Sequence, residues 1–340
     1  MEVFNTLGNW IFEHEALLSG AAAISVLIGI AWSAVHRLTR RVRGAHDNST
    51  DKAAIVNDLP ITLIALTAPA PYPIHYAQSD GLRIAYAKLG SGRHDILIAP
   101  GIISHLNIQS HMPPSRDTAA AIGEFSKIVI FDKRGQGLSD PCPYVPDLNQ
   151  RAHDIEAVMD AAGQKKVVLY GVSEGGPMCI KFALDHPERV KGLILLGTTA
   201  RWLQSADFPS GIEEVMLDGL APAWGTGRLR QLFFPSISKE LMDDQTYKAF
   251  ERLIATRESV KQLAEFMKQT DVREMLPRLM CPTLVIHFAG DMAVPVRLGR
   301  AMAEAIPNAE FVELPGIDHG DLSSAPEGIE RVRLFVESLG

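Results

Sequence analysis

The stretch "LYGVSEGGPM" (169–178) holds Gly171-Val172-Ser173-Glu174-Gly175, a G-x-S-x-G pattern whose serine is suited to covalent acyl chemistry. Five residues alone do not separate a nucleophile from an ordinary serine in a glycine-rich loop. The context does. The apolar run "KVVLY" (166–170) precedes the pattern and the helical stretch "PMCIKFALDHP" (177–187) follows it. A strand, a tight turn and a helix in succession can present a serine hydroxyl at the end of a sheet. Gly171 and Gly175 suit a turn too tight for side chains. The amides that open the helix favour a developing negative charge at the same spot.

A serine hydroxyl is a weak nucleophile until a base removes its proton. With a histidine as base, an orienting carboxylate is expected between the two in sequence. Downstream of Ser173 stand His186, His287 and His319. His186, in "LDHPERV", marks a helix end near the serine, and His287 ends an apolar run, where packing explains it. His319, in "LPGIDHGD", follows the last apolar run and is the expected base. Asp291, in "HFAGDMAVP", is the expected carboxylate, with a turn or cap role as the plainer alternative. No carboxylate follows "GLILLGTTA", and Asp318 adjoins His319 too closely to orient its ring easily. Two oxyanion donors are expected, each worth about 3 kcal/mol: the backbone N–H of Glu174 and that of Ile102 in "PGIISH". The Glu174 side chain receives no acid–base role.

These residues need a scaffold that brings distant segments together. Short apolar runs occur at 82–88, 95–99, 127–131, 166–170, 192–196, 283–287 and 310–314, with helical patterns at 150–163, 177–187 and 296–307. Continuous apolar strands alternating with helices predict a mostly parallel sheet covered on both faces. Ligands of such sheets bind at the carboxyl ends of the strands, and Ser173, Asp291 and His319 all follow apolar runs. Residues 202–280 break the rhythm. They contain no convincing strand and amphipathic stretches such as "YKAFERLIATRESVKQLAEFMKQ", which predict a helical insertion above the sheet.

Composition narrows the class. The chain has 340 residues, 46% hydrophobic and 21% charged, enough for a sizeable core. A net charge of −7 argues against a nucleic-acid partner. Cys142, Cys179 and Cys281 have no metal-like spacing and are expected as reduced thiols, with no metal and no cofactor.

The N-terminus carries "ALLSGAAAISVLIGIAWSAV" (16–35), twenty residues without a charge. A helix of that length spans about 30 Å, the thickness of a hydrocarbon core. No Lys or Arg precedes it, unlike a signal peptide. One transmembrane helix is therefore expected at 16–36. Arg37, Arg40, Arg41 and Arg43 place its following side in the cytoplasm. Residues 1–15 would lie outside, and the remainder at the cytoplasmic face of the inner membrane. Ser25, Gly29 and Ser33, at four-residue spacing, suggest a homodimer through this helix. Residues 37–73 form a basic flank and linker, whose apolar part "LPITLIALTAPAPYPI" either lies on the membrane surface or packs on the domain.

From about 75 to 340 the chain resembles the α/β-hydrolase fold superfamily, in its serine hydrolase and esterase branch. The resemblance rests on "DKRGQGLSD" (132–140), "GVSEGGPM" (171–178), "HFAGDMAVP" (287–295) and "LPGIDHGD" (314–321), in that order. It is most similar to hydrolase modules found joined to bacterial nucleotide cyclases, although no cyclase domain fits in this chain. The resemblance implies an eight-stranded, mostly parallel sheet and a core of residues 74–201 and 281–340. It also implies a helical cap at 202–280 and a triad of Ser173, Asp291 and His319. Many members carry His-Gly where this chain has Pro100-Gly101. Trp202, Trp224, Phe233 and Phe234 would line the cap's pocket or pack within the lid, and His105 and His111 are expected to be structural.

The expected function is a membrane-anchored hydrolase of carboxylic esters or lactones with a hydrophobic acyl substrate. Amidase, carbon–carbon hydrolase and cofactor-free perhydrolase chemistry remain open on the same triad. A ligand receptor on this fold is the alternative outside catalysis.

Overall fold

The computed structural model describes residues 61–340. The span expected at 16–36, its arginines and its small-residue stripe lie outside the described residues. Among the described residues, no helix is long and apolar enough to cross a membrane.

Eight strands form one sheet: β1 (His75–Ser79), β2 (Leu82–Leu89), β3 (His94–Ala99), β4 (Ser126–Phe131), β5 (Val167–Val172), β6 (Val190–Leu196), β7 (Thr283–Phe288) and β8 (Ala309–Leu314). Their order is β1-β2-β4-β3-β5-β6-β7-β8. β2 pairs antiparallel with β1 and β4, and every other pairing is parallel. All of β7 is buried, as expected for a parallel strand covered on both faces. Seven strands coincide with the apolar runs. The eighth, β1, reads "HYAQS" and carries little apolar signal. It is created by a hairpin at Asp80-Gly81, with φ of 47° and 81°, conformations that favour this residue pair.

The longer helices are α1 (Pro113–Gly123), α2 (Leu148–Ala162), α3 (Gly176–Asp185), α4 (Asp244–Ile254), α5 (Arg257–Gln269), α6 (Val296–Ala305) and α7 (Pro326–Ser338). Side chains alternate between faces along each strand. Leu97, Leu169 and Val285 pack with Ile155, Phe182 and Met302 of α2, α3 and α6. Ile96, Ile194 and Ile286 pack on the other face with Ile122 and Val332 of α1 and α7. Helix α2 starts at a capping box made by Asp147 and Gln150 and stops at Gly163, φ 78°.

Between β6 and β7 the chain makes helical segments and isolated bridges but no further strand of the sheet. The long amphipathic stretch breaks at Ala255, and the Thr256 side chain caps α5 by accepting from the Ser259 amide. This region has its own apolar cluster, including Trp202, Trp224, Tyr247 and Phe250. Ile61 and Leu66 join that cluster, and the Ile61 amide donates to the Leu241 carbonyl at 2.8 Å. Asn107 grips the next turn, donating to the Ala68 carbonyl at 2.7 Å and accepting from the Ala70 amide at 2.6 Å. The segment 61–72 thus packs on the domain.

Candidate active site

Ser173 directly follows β5, with φ at 52°. Among the described non-glycine residues only Asp80 shares a positive φ. A backbone in this region is strained for an L residue and persists only where the surroundings enforce it. Those surroundings are close. A Cβ on Gly171 would lie 2.8 Å from Gly176 Cα, and one on Gly175 would lie 2.5 Å from the Ala99 carbonyl oxygen. Glycine at both places lets the turn close against β3 and α3.

Asp291 follows β7 and His319 follows β8. His319 Nδ1 lies 2.7 Å from Asp291 Oδ2. The other oxygen, Oδ1, accepts from the amides of Ala293 and Val294 at 2.9 and 3.0 Å. The carboxylate is therefore fixed on one side by backbone and presents its other oxygen to the ring. With Nδ1 donating to it, Nε2 is left as the acceptor. That Nε2 is buried, has no partner among the described residues, and belongs to a side chain lining the same cavity as Ser173.

The other histidines are placed differently. His287 is buried, its Nε2 2.7 Å from the Val294 carbonyl, and burial lowers its pKa. It is a neutral donor inside the fold. His186 stacks on Phe182 at 4.7 Å. His111 Nε2 lies 2.9 Å from the Ala68 carbonyl, and His105 opens a short helical turn in which only its carbonyl accepts, from the Gln109 amide at 2.9 Å. Asp318 turns away from the ring and accepts from the Ser236 amide at 2.9 Å and from its hydroxyl.

Glu174 carries more than its sequence position suggested. Its carboxylate pairs with Lys133 and, at 2.7 Å, with Arg151, all three side chains being buried. Lys133 Nζ also donates to the carbonyls of Gly101 and Ile102 at 2.5 and 3.3 Å. The Gly101 carbonyl shares a peptide unit with the Ile102 N–H, and no described peptide bond is cis. In a trans peptide the two groups point in opposite directions, so Lys133 aims the Ile102 amide by holding the carbonyl behind it. Gly101 packs beside Ser173, its Cβ position 3.2 Å from Ser173 Cβ. Burial pushes Lys133 down to about 8, against the pull of Glu174. Asp132 holds the next part of the loop through the amides of Leu106 and Leu138 at 2.9 and 2.8 Å. Burial pushes it up to about 7.

The histidine loop is tied elsewhere. The His319 amide donates to the Phe233 carbonyl at 2.7 Å, and the two rings lie 5.8 Å apart. Ser173 and His319 open into a cavity of about 650 Å³. Trp224, Phe233 and Phe234 line it, whereas Trp202 is packed in the cluster behind. Arg116 is the only lysine or arginine on its described wall, and it pairs with Asp117 at 2.7 Å. Among the described residues no group of His, Cys, Asp or Glu is arranged to hold a metal ion.

Residues 96–326 match the family model described as the alpha/beta hydrolase fold. The chain belongs to that family. It is 29% identical over 246 residues to a 2-hydroxy-6-oxononadienedioate/2-hydroxy-6-oxononatrienedioate hydrolase of Paraburkholderia phymatum, covering 68% of this chain and 82% of that protein. It is 24% identical over 260 residues to the karrikin insensitive 2 receptor CA of Petunia hybrida, covering 72% and 92%. Among solved structures it resembles a bacterial membrane phospholipase A, with TM-score 0.67, 21% identity, and coverage of 96% and 98%.

Proposed function

We propose that this hydrolase cleaves carboxylic esters through an acyl-enzyme on Ser173, and that residues 16–36 hold it at a membrane. The observation that carries the reading is His319. Its Nδ1 is bound by Asp291, while its Nε2 has no described partner and its ring lines one cavity with a serine on a strained turn. His319 Nε2 takes the Ser173 proton as Oγ attacks the acyl carbon. The carbonyl oxygen, now negative, accepts from the amides of Ile102 and Glu174. Collapse expels the alcohol, which His319 protonates. Water, deprotonated by the same nitrogen, then attacks the acyl carbon and releases the acid. Asp291 holds the ring in the tautomer that these steps need.

The 29% identity to a hydrolase of a hydroxy-oxo dienedioate favours a second reading, carbon–carbon cleavage on the same groups. A dianionic substrate calls for cationic partners, and the described wall carries only Arg116, already paired. The ester reading fits the wall better. A fluorophosphonate probe tests it on detergent-solubilised protein: labelling of wild type and none of Ser173→Ala is expected. Unlabelled, folded wild type would return weight to the receptor class that one relative represents.

A further inference from the structure

The cavity extends beyond the catalytic groups and the cap. Along β3, Ile96 is fully buried against the α1 face, whereas Ile98, two residues on and on the same face, is only partly so. On β4, Ile128 and Ile130 repeat the difference. Residues in the middle of a sheet are exposed in this way only where the covering helix stands off. Ile98 and Ile130 line the cavity with Thr118 and Ala119 of α1, and with Val172, the residue before the nucleophile. The same cavity is lined at the far end of α1 by the exposed Gly90, Ser91 and Glu124. Eleven residues of α1 lie alongside, about 16 Å of helix axis at about 1.5 Å per residue.

Inside its exposed mouth this branch has an apolar wall with two buried hydroxyls, those of Thr118 and Tyr170, which have no partners among the described residues. Burial raises the Tyr170 pKa, so its hydroxyl stays neutral. The wall suits an elongated, uncharged chain. Which end of an ester it takes follows from the proton transfers. His319 must reach the leaving oxygen, and its ring touches Phe233 of the cap. The alcohol therefore departs on the cap side, and the acyl substituent turns into the branch that begins beside Val172.

We infer that the space between α1 and the sheet is an acyl-chain channel, which makes esters of long, unbranched aliphatic acids the preferred substrates. The inference rests on the ester chemistry proposed for Ser173. Its test compares p-nitrophenyl butyrate, dodecanoate and hexadecanoate with wild type, Ala119→Trp and Ser91→Trp. Wild type should favour dodecanoate over butyrate. Ala119→Trp, which fills the middle of the channel, should lower the dodecanoate-to-butyrate ratio of kcat/KM at least tenfold. Ser91→Trp, at the exposed far mouth, should lower only the hexadecanoate-to-butyrate ratio, by about threefold or more. Ratios within twofold of wild type in both variants would overturn the channel, as would a wild-type preference for butyrate. Should Ala119→Trp fail to fold, the surface variant decides alone. Wild type that cleaves no ester would sink the ester chemistry instead. Binding of a fluorescent dodecanoate analogue, weakened tenfold by Ala119→Trp, and of a hexadecanoate analogue, weakened by Ser91→Trp, would still decide the channel.

Discussion

The Ser173 side of the candidate site and the His319 side are anchored by different parts of the molecule. Ser173 and the loop carrying Ile102 are held from within the core, by a turn closed against β3 and by Lys133, Glu174 and Arg151 beneath it. His319 has its ring fixed by Asp291 from β7, but its backbone hangs on the Phe233 carbonyl, and its neighbour Asp318 on Ser236. Both latter contacts belong to the region between β6 and β7. One half of the proposed site is thus locked to the sheet, and the other half hangs on the region between β6 and β7. In the proposed mechanism, a substrate that moves this region would move His319 and leave Ser173 in place.

The strongest perturbation tests whether the two halves form one machine. Ser173→Ala should lower kcat by about 10⁴-fold or more with the fold intact, checked by ester turnover beside circular dichroism. Asp291→Asn should cost about 10³–10⁴-fold, because the ring loses the partner that sets its tautomer. An Asp291→Asn enzyme within tenfold of wild type would show that the backbone alone positions His319.

Weaker perturbations separate the halves. Lys133→Met should lower kcat/KM by about 10–100-fold, less than outright loss of an oxyanion donor, since the Ile102 amide is misaimed but present. Wild-type activity should also fall as pH rises through about 8, where Lys133 loses its proton. A neutral amine has two donors for three acceptors, Gly101 O, Ile102 O and Glu174. This alkaline limb should vanish in Lys133→Met. Stability should not fall with it: between about 8 and 10.5 the unfolded chain holds this proton more firmly than the folded one. The contribution of Lys133 to stability therefore rises with pH there. Arg151 and Glu174 face the same ammonium, and a melting curve that falls together with the activity would assign the limb to unfolding instead.

On the His319 side, Ser236→Ala removes the hydroxyl's hydrogen bond to Asp318 and leaves the amide's, a loss of about 1 kcal/mol or roughly fivefold in kcat/KM. If the halves are independent, Lys133→Met and Ser236→Ala should combine additively to within about 0.5 kcal/mol. A larger coupling energy, measured by the double-mutant cycle, would show that cap and core move together.

The signals legible in the chain were local ones. The Ser173 turn needs strand, glycine, serine, glycine and helix within a dozen residues, and each leaves its own mark. Asp291 and His319 stood out because each follows an apolar run that must end at the same edge of the sheet. Strand β1 escaped notice because "HYAQS" has almost no apolar pattern, although the Asp80-Gly81 turn was a usable signal. Helix α1 was hidden by its weak apolar stripe, and the space it leaves over Ile98 and Ile130 has no trace in residue type. The motif "DKRGQGLSD" was visible as a signature, yet its second residue had no evident partner.

By itself, the sequence determined the alternation of strands and helices, the tight turn at Ser173 and the order of the candidate residues. Each depends on local periodicity, glycine placement or chain order. Tertiary structure alone decided that Glu174 meets Lys133 and Arg151, 41 and 23 residues away. It also decided that the region between β6 and β7 holds the histidine loop, and that α1 stands off the sheet. Those outcomes depend on how whole elements pack, and two charges far apart in sequence give no sign of one another until the sheet has brought them together.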